Sequence, residues 1–487
     1  MSASDILWTD IGLYQKRYEK SASALIAIRR ALEHRRPLGG GESEFLELVD
    51  RVAAVDPGAF TRVWSDPSAY FWVRLAYEFV GNSLTPGPLS PLAAASATVR
   101  GTAGDSRATL AVHLGDFKRF VLALGVASDQ DRMFDESLET VLPFVIPATH
   151  FVVSGKGKIA VHGFSNGCLE VTWHGERRRL ALNGAPHPES PCLRKSPIAV
   201  VEDYQLPLQP EMFNLPGLEV GRPLLDVAPE FESAQLQLTE EALTLIRRHA
   251  PLAFGHFQEI IRSVALKPPG VGNYTNISHS DLPGSFVCTV VRDPHWLADA
   301  FIHELYHNRL FFIEEIDSFF TQAEDNLMTR NHYYSPWRDD LRPLHGIFHG
   351  LYVYLALWRF WLEVYRSGQS SGSHLTAAAL AQILRTSLQL DIAASQLQRF
   401  GEFTSFGASL FGAMAEEVSF IRSATRELRL PHDLPAMTCS DEGIFSPQRG
   451  LADGKELTVR EAVLKHAQKY DSARQCLEIE SIVSLSP

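Results

Sequence analysis

Apolar positions change their spacing several times along this chain, and each change predicts a different kind of element. From about Leu13 to Leu124 they recur at helical spacing, interrupted at Gly39-Gly40-Gly41 and between Pro86 and Pro91, which predicts helices joined by Gly- and Pro-rich breaks. From about Val141 to Leu206 the period shortens to two. Phe151-Val152-Val153, Lys158-Ile159-Ala160-Val161-His162, Leu169-Glu170-Val171-Thr172-Trp173-His174 and Arg179-Leu180-Ala181-Leu182 read as short strands, with Gly155, Gly157, Gly163, Gly167 and Gly175 between them. A Pro-rich stretch from Pro207 to Pro229 reads as a linker or crossover, and helical spacing returns over Thr239 to Leu266. Gly284 to Val291 is a compact strand that leads into a helix apolar on nearly every face from Trp296 to Ile313. Pro343 opens another buried helix, and Leu375 to Phe400 and Phe406 to Leu428 predict two more. Past Pro431 the chain alternates polar loop with one modest helix near Thr458 to Tyr470.

The fold class expected from this pattern is α+β, mostly helical. An N-terminal helical lobe covers 1–140, a β-rich segment with its Pro-rich linker 141–235, a helical domain 236–430 and a peripheral segment 431–487. A chain of 487 residues is too long for one ordinary core, which agrees with two or three domains.

Charge narrows the partners. The formal net charge of −12 leaves no basic excess to neutralise phosphates, so no nucleic-acid partner is expected, and Arg29-Arg30 and Arg177-Arg178-Arg179 read as solvated faces. Five scattered cysteines, Cys168, Cys192, Cys288, Cys439 and Cys476, form neither a CxxC pair nor a secreted-type framework. The N-terminus carries acids where a signal peptide needs a basic start, so the expected location is the cytoplasm. Leu344 to Trp358 lacks formal charge but is too short for a bilayer and holds two histidines, so it reads as a core helix.

The chemistry concentrates at His303-Glu304-Leu305-Tyr306-His307. Four residues are just over one helical turn, so both imidazoles leave the same face and can grip one metal ion. Asp293 and Pro294 suit the N-cap and first position of that helix. Two imidazoles and a carboxylate inside an all-apolar helix each need a strong partner, and an ion satisfies both histidines at once. Glu314 and Glu315 lie on the same helix, where seven residues of rise, about 10 Å, carry Glu314 away from His307; they read as helix-end charges. His345 and His349 share a face of the next buried helix, and His349, deeper in it, is favoured over His345 as the third ligand.

The loop joining the two helices, Tyr333 to Pro343, carries Trp337, Arg338 and Arg342. A guanidinium binds a carboxylate two-pronged, so Arg338 and Arg342 are candidates to hold a small diacid beside the metal; pairing with Asp339, Asp340 or a helix end is the alternative. HExxH usually signals a zinc peptidase with Glu304 as general base. Here no HxxGxxH follows His307, no suitably placed Glu on a following helix completes the set, and a peptidase has no need of an arginine pair. Non-haem Fe(II) oxygenation is the other chemistry open to such ligands, and its 2-oxo acid cosubstrate requires a cation. A third class is a peptide-binding protein with structural zinc, in which the strands of 141–206 pair an extended peptide.

The run from Gly284 through His303-Glu304-Leu305-Tyr306-His307 to Ser335-Pro336-Trp337-Arg338 and Arg342-Pro343-Leu344-His345-Gly346-Ile347-Phe348-His349-Gly350 resembles the HExxH-motif family associated with ribosomally synthesised, post-translationally modified peptides. The resemblance covers roughly residues 270–365. It implies an Fe(II)- and 2-oxoglutarate-dependent peptide β-hydroxylase with His303, His307 and His349 as iron ligands. It also implies an arginine of the Arg338 to Arg342 segment on 2-oxoglutarate, Glu304 in a supporting role, and a peptide substrate with or without a leader. The radical SAM cluster motif CxxxCxxC that accompanies some relatives is absent from the sequence. Neither the peptide nor the oligomeric state is legible.

Overall fold

A computed structural model describes residues 13–35, 38–85, 87–90, 93–94, 97, 102, 104–128, 137–146, 151–165, 168–181, 192–195, 199–201, 229–261, 263–267, 276–280, 283–321, 333–338, 340–368, 374–428, 437–439, 455–458, 461, 464–465 and 467–468. The described chain is mostly helical with small sheets, the α+β class that the apolar spacing predicts. It divides into two compact units that interleave in sequence. Gly12–Phe231 and Ile260–Val290 make one; Met1–Ile11, Glu232–Glu259 and Val291–Pro487 make the other.

The first unit begins with six helices: α1 (Leu13–Glu33), α2 (Gly40–Val52), α3 (Pro57–Trp64), α4 (Pro67–Leu84), α5 (Ser106–Gly115) and α6 (Lys118–Ser128). Short polar side chains start several of them: the Asp56 carboxylate accepts from the Ala59 N–H at 2.8 Å, and Asp105 accepts from Arg107 and Ala108 at 3.0 Å. Their apolar faces meet in an aromatic centre of Phe45, Trp64, Trp72, Phe117 and Phe120. His113 is buried there as a core residue. Its ring stacks on Trp72 at 5.2 Å, its Nε2 lies 2.9 Å from the Trp72 carbonyl, and the indole N–H donates to the His113 carbonyl at 2.9 Å.

The same core continues into a sheet of β1 (Leu138–Ile146), β2 (Phe151–Ser165), β3 (Cys168–Trp173) and β4 (Glu176–Ala181), an antiparallel meander in that order, with β5 (Cys192–Lys195) paired to β2. The β3–β4 turn is the two-residue pair His174-Gly175, with φ of 49° and 82°, the positive backbone angles that match the twist of a tight hairpin. A second sheet contains β6 (Ala199–Val201), β7 (Ser263–Lys267), β8 (Asn276–Ser278) and β9 (Ser285–Thr289) in the order β6-β7-β9-β8; β6, β7 and β9 run parallel and β8 antiparallel to β9.

The second unit holds α7 (Pro229–His249), α8 (Pro251–Ile260), α9 (Pro294–Glu314), α10 (Leu344–Gly368), α11 (His374–Phe400) and α12 (Ser405–Glu427), with the hairpins β10 (Tyr333–Ser335)/β11 (Asp340–Arg342) and β12 (Met437–Cys439)/β13 (Lys455–Leu457). Two readings change here. The helical spacing over Thr239 to Leu266 resolves into α7, α8 and the strand β7: Pro251 cannot continue the preceding helix, and Ser263-Val264-Ala265-Leu266-Lys267 pairs on both sides in a sheet. The segment before Pro343 is a β-hairpin and not a plain loop, with Tyr333, Tyr334 and Ser335 opposite Arg342, Leu341 and Asp340. Residues 207–228 of the Pro-rich stretch and most of the segment after Pro431 lie outside the described residues. Among the described residues no helix is long and apolar enough to cross a membrane.

Candidate metal centre

The site grows from two helices that run antiparallel. On α9, the Asp293 carboxylate caps the first turn by accepting from the His295 N–H at 2.8 Å, and Pro294 occupies the start, as the sequence predicts. On α10, Leu344 follows Pro343 into a helix of which 17 residues are buried. Contacts pair the start of α10 with the end of α9 and later positions of α10 with earlier turns of α9: His345 with Glu314, His349 with His307, Tyr352 with Arg309 and Tyr306, Tyr354 with His303, and Trp361 with Asp299. The seam is therefore polar although most residues of both helices are buried. Arg309, 1% exposed, is held by the Tyr352 hydroxyl and lies over the Tyr352 ring.

His303 and His307 face each other through their Nε2 atoms at 3.2 Å. Two imidazole nitrogens each about 2.1 Å from one ion lie about 3.0–3.4 Å apart as the angle between them opens from square to tetrahedral, so the pair is spaced to share an ion. The other nitrogen of His307, Nδ1, faces His349 Nδ1 at 3.4 Å. His349 thus meets the pair from the far side of the His307 ring, and its own opposite nitrogen, Nε2, is buried without a hydrogen bond, 3.6 Å from Glu314 Oε2.

Beyond His349 the run continues to Glu314, whose Oε1 lies 2.6 Å from His345 Nε2. Glu314, His345 and His349 present donor atoms within 4.8 Å of one another, close enough to hold a metal ion with modest adjustment. The reading of Glu314 as a helix-end charge is corrected here. Axial rise does separate it from His307, but α10 begins beside the end of α9 and brings His345 and His349 to it. The signal in the sequence was the seven-residue step from His307 to Glu314, which returns to the same helical face.

Electrostatics prepare the imidazoles for a cation. Burial holds His303 down to about 4, assisted by the nearby charge of Arg338. Burial also keeps His307 well below its ordinary value, with the neighbouring His303, His349 and His345 adding to it, and lowers His349. All three are neutral at neutral pH, the form that ligates metal. Burial pushes the Glu314 carboxyl up, but its contacts with His345 and His349 outweigh that and hold it well below the usual carboxylate range.

The two arginines part company. Arg342 Nε is held by both oxygens of Asp340, at 3.0 and 3.1 Å, which is the alternative pairing considered above. Arg338 lies farther from the same carboxylate, 3.6 Å, keeps 64% of its side chain exposed, and acts electrostatically on His303. Its place is set by Trp337, which stacks on Tyr354 at 4.7 Å and nearly parallel, while the Tyr354 ring meets His303 edge-on at 5.6 Å. Gly350 makes room for that indole: a Cβ there would overlap the ring. Two buried amides of α11 fix the hairpin backbone, Gln389 donating to the Pro336 carbonyl at 2.9 Å and Gln396 to the Tyr334 carbonyl at 2.8 Å.

Glu304 is 2% exposed, and its carbonyl accepts from the Asn308 side chain at 2.8 Å. Tyr306 turns its hydroxyl toward His256 Nδ1, 3.5 Å away, and burial pushes its phenol up to about 12. No protein-family model matches the chain, and no curated protein matches it at a significant level.

Proposed function

We propose that this chain is a metal-dependent oxygenase that uses Fe(II) and 2-oxoglutarate to hydroxylate a β-carbon in a ribosomally made peptide. The observation that carries the reading is the His303–His307 pair, two neutral, part-buried imidazoles 3.2 Å apart, with an exposed arginine close enough to act on His303. The donor set fits the ion: imidazole nitrogens suit iron, and the Nε2–Nε2 spacing of His303 and His307 matches two ligands of one ion. Bound iron with dioxygen and 2-oxoglutarate supplies the oxidising power to functionalise an unactivated C–H bond, 2-oxoglutarate leaving as succinate and carbon dioxide.

The chain's own groups do the rest. His303 and His307 hold the ion through Nε2. His349, expected as the third ligand, instead faces the opposite nitrogen of His307, Nδ1, at 3.4 Å and backs that ligand from behind. Arg338 offers a guanidinium to the distal carboxylate of the cosubstrate, while Arg342 is engaged by Asp340 and braces the hairpin. Trp337 and Tyr354 wall the His303 side, excluding water and fixing the arginine's reach. Glu304 orients its neighbours from inside α9. Cytoplasmic placement accompanies this reading, since Fe(II) persists under reducing conditions.

An anaerobic absorption titration of Fe(II)-loaded protein with 2-oxoglutarate tests it. A visible metal-to-ligand charge-transfer band is expected in the wild type. Half-saturation rises by about tenfold or more in Arg338→Ala and by no more than about threefold in Arg342→Ala, the difference between losing a loosely paired, exposed guanidinium and one that both Asp340 oxygens hold. Absence of the band in protein shown to carry iron overturns the proposal. Peptide hydrolysis by the zinc form that disappears in Glu304→Gln would put a zinc peptidase in its place.

A further inference from the structure

We infer that Glu314 is a positioning residue of the metal centre, a carboxylate anchored by His345 that holds Nε2 of His349 and so keeps Nδ1 of His349 turned to Nδ1 of the metal-holding His307. The inference rests on the reading above only in that an ion occupies that pair. A neutral imidazole has one N–H and one lone pair, on opposite sides of the ring. In His349, Nδ1 faces His307 Nδ1 at 3.4 Å, and Nε2, buried and without a hydrogen bond, faces Glu314 Oε2 at 3.6 Å. Placing the N–H toward the carboxylate leaves the lone pair toward His307 Nδ1, which can then donate its own N–H there and keep the lone pair of its Nε2, on the His303 side, for the ion. Metal-bound histidines commonly donate their second N–H to a carboxylate, which fixes ring orientation and raises ligand basicity.

The carboxylate is itself anchored. His345 Nε2 donates to Glu314 Oε1 at 2.6 Å. The backbone just past α9 is clamped as well: the Thr404 N–H donates to the Phe319 carbonyl at 3.1 Å, the Thr404 hydroxyl to the Ser318 carbonyl at 2.6 Å, and Gly407 packs where a Cβ would strike the Phe319 backbone. The end of α9 is therefore a fixed platform. A different arrangement, with Glu314, His345 and His349 themselves holding the ion, must first break the His345–Glu314 hydrogen bond, because 2.6 Å is shorter than the roughly 3.0–3.4 Å between neighbouring ligands on one ion. Imidazoles also bring no negative charge to a divalent cation, and Glu314 places one behind His349 and His307.

The test is equilibrium binding of Zn(II) and Co(II) to the full chain, with stoichiometry and the Co(II) absorption spectrum recorded for the wild type, Glu314→Gln, Glu314→Asp, His345→Gln and His303→Ala. In Glu314→Gln one equivalent still binds, with affinity reduced by about 10- to 100-fold and a shifted Co(II) spectrum, the range seen when an outer carboxylate is lost. Glu314→Asp recovers part of the affinity. His345→Gln, which releases the carboxylate without removing it, weakens binding less than Glu314→Gln does. His303→Ala loses the site. Wild-type affinity together with an unchanged Co(II) spectrum in Glu314→Gln overturns the inference. So does complete loss in Glu314→Gln with one equivalent retained in His303→Ala, which would make Glu314, His345 and His349 the site itself. Absence of the 2-oxoglutarate band in the iron-loaded wild type refutes the oxygenase and leaves these metal affinities standing on their own.

Discussion

Glu304 is the residue at which oxygenase and hydrolase readings demand opposite outcomes. It follows His303 by one position, so it leaves α9 about 100° away from the face that carries His303, His307 and Glu314. In a peptidase that carboxylate takes a proton from the attacking water, and neutralising it removes most of the rate. In the oxygenase it only orients neighbours. Glu304→Gln, which keeps the shape, should therefore retain one equivalent of Fe(II) and peptide hydroxylation within about tenfold of the wild type, the cost of a lost outer contact. Mass spectrometry of the peptide together with metal analysis checks this, and a loss of hydroxylation of about a thousandfold with iron still bound would make Glu304 part of the reaction. The two imidazoles around it were legible in the sequence because i, i+4 spacing is a property of one helix. Glu314 was not, because its partners come from the start of another helix, and a rise measured along α9 is silent about what packs beside its end.

At the scale of elements, the hairpin β10–β11 and the groove at Gly350 decide where Arg338 sits. The helices on either side were readable from apolar spacing and from Pro294 and Pro343. The hairpin read as loop, since a three-residue strand pair has too few positions to show a period, and its register is imposed by Gln389 and Gln396 from 50 or more residues away in sequence. Similarly, Ser263 to Lys267 read as helix end because nothing local announces the parallel partners β6 and β9. Gly350 is the element-level test. Its missing Cβ admits the Trp337 indole, so Gly350→Ala must push the ring off Tyr354 and the hairpin turn with it. The expected cost is about 1–3 kcal/mol of stability, as for overpacking elsewhere, measured by urea unfolding. Weaker 2-oxoglutarate binding should accompany it, with iron content unchanged. Wild-type stability and cosubstrate affinity in Gly350→Ala would show that Trp337 does not position Arg338.

For the molecule as a whole, the second unit tolerates a seam of ionisable groups between two buried helices, and that choice has a measurable pH signature. Besides the histidines and Glu314, the seam contains Asp299, which accepts the Trp361 indole N–H at 2.6 Å. Burial raises its carboxyl to about 6 from an ordinary 3.8, against the lowering effects of the Trp361 bond and of Arg385. With the folded pKa above the unfolded one, the native state binds the extra proton between those values. The contribution is therefore complete below about pH 4, is lost as pH rises through about 6, and stays lost above. The two pKa values differ by 6 − 3.8 = 2.2, which corresponds to at most about 3 kcal/mol and to less for a side chain that keeps some contact with solvent. Burial of His303 acts in the opposite sense: its depressed pKa of about 4 makes stability fall as pH drops from about 6.5 toward 4. His307 and His349, also lowered by burial, act in the same sense as His303, so Asp299 offsets only part of the loss and the metal-free protein is expected to lose stability as pH falls through this window. Asp299→Asn keeps the acceptor for Trp361 and removes only the titration. It should raise stability at pH 7 by about 1–3 kcal/mol and leave it unchanged near pH 4, so that the variant loses stability on acidification more steeply than the wild type. Urea unfolding of the metal-free protein at pH 4.5, 5.5 and 7 reads this directly. Parallel curves for the two proteins would mean that Asp299 is ionised in the native state across the range and that the seam holds its charges in compensated pairs.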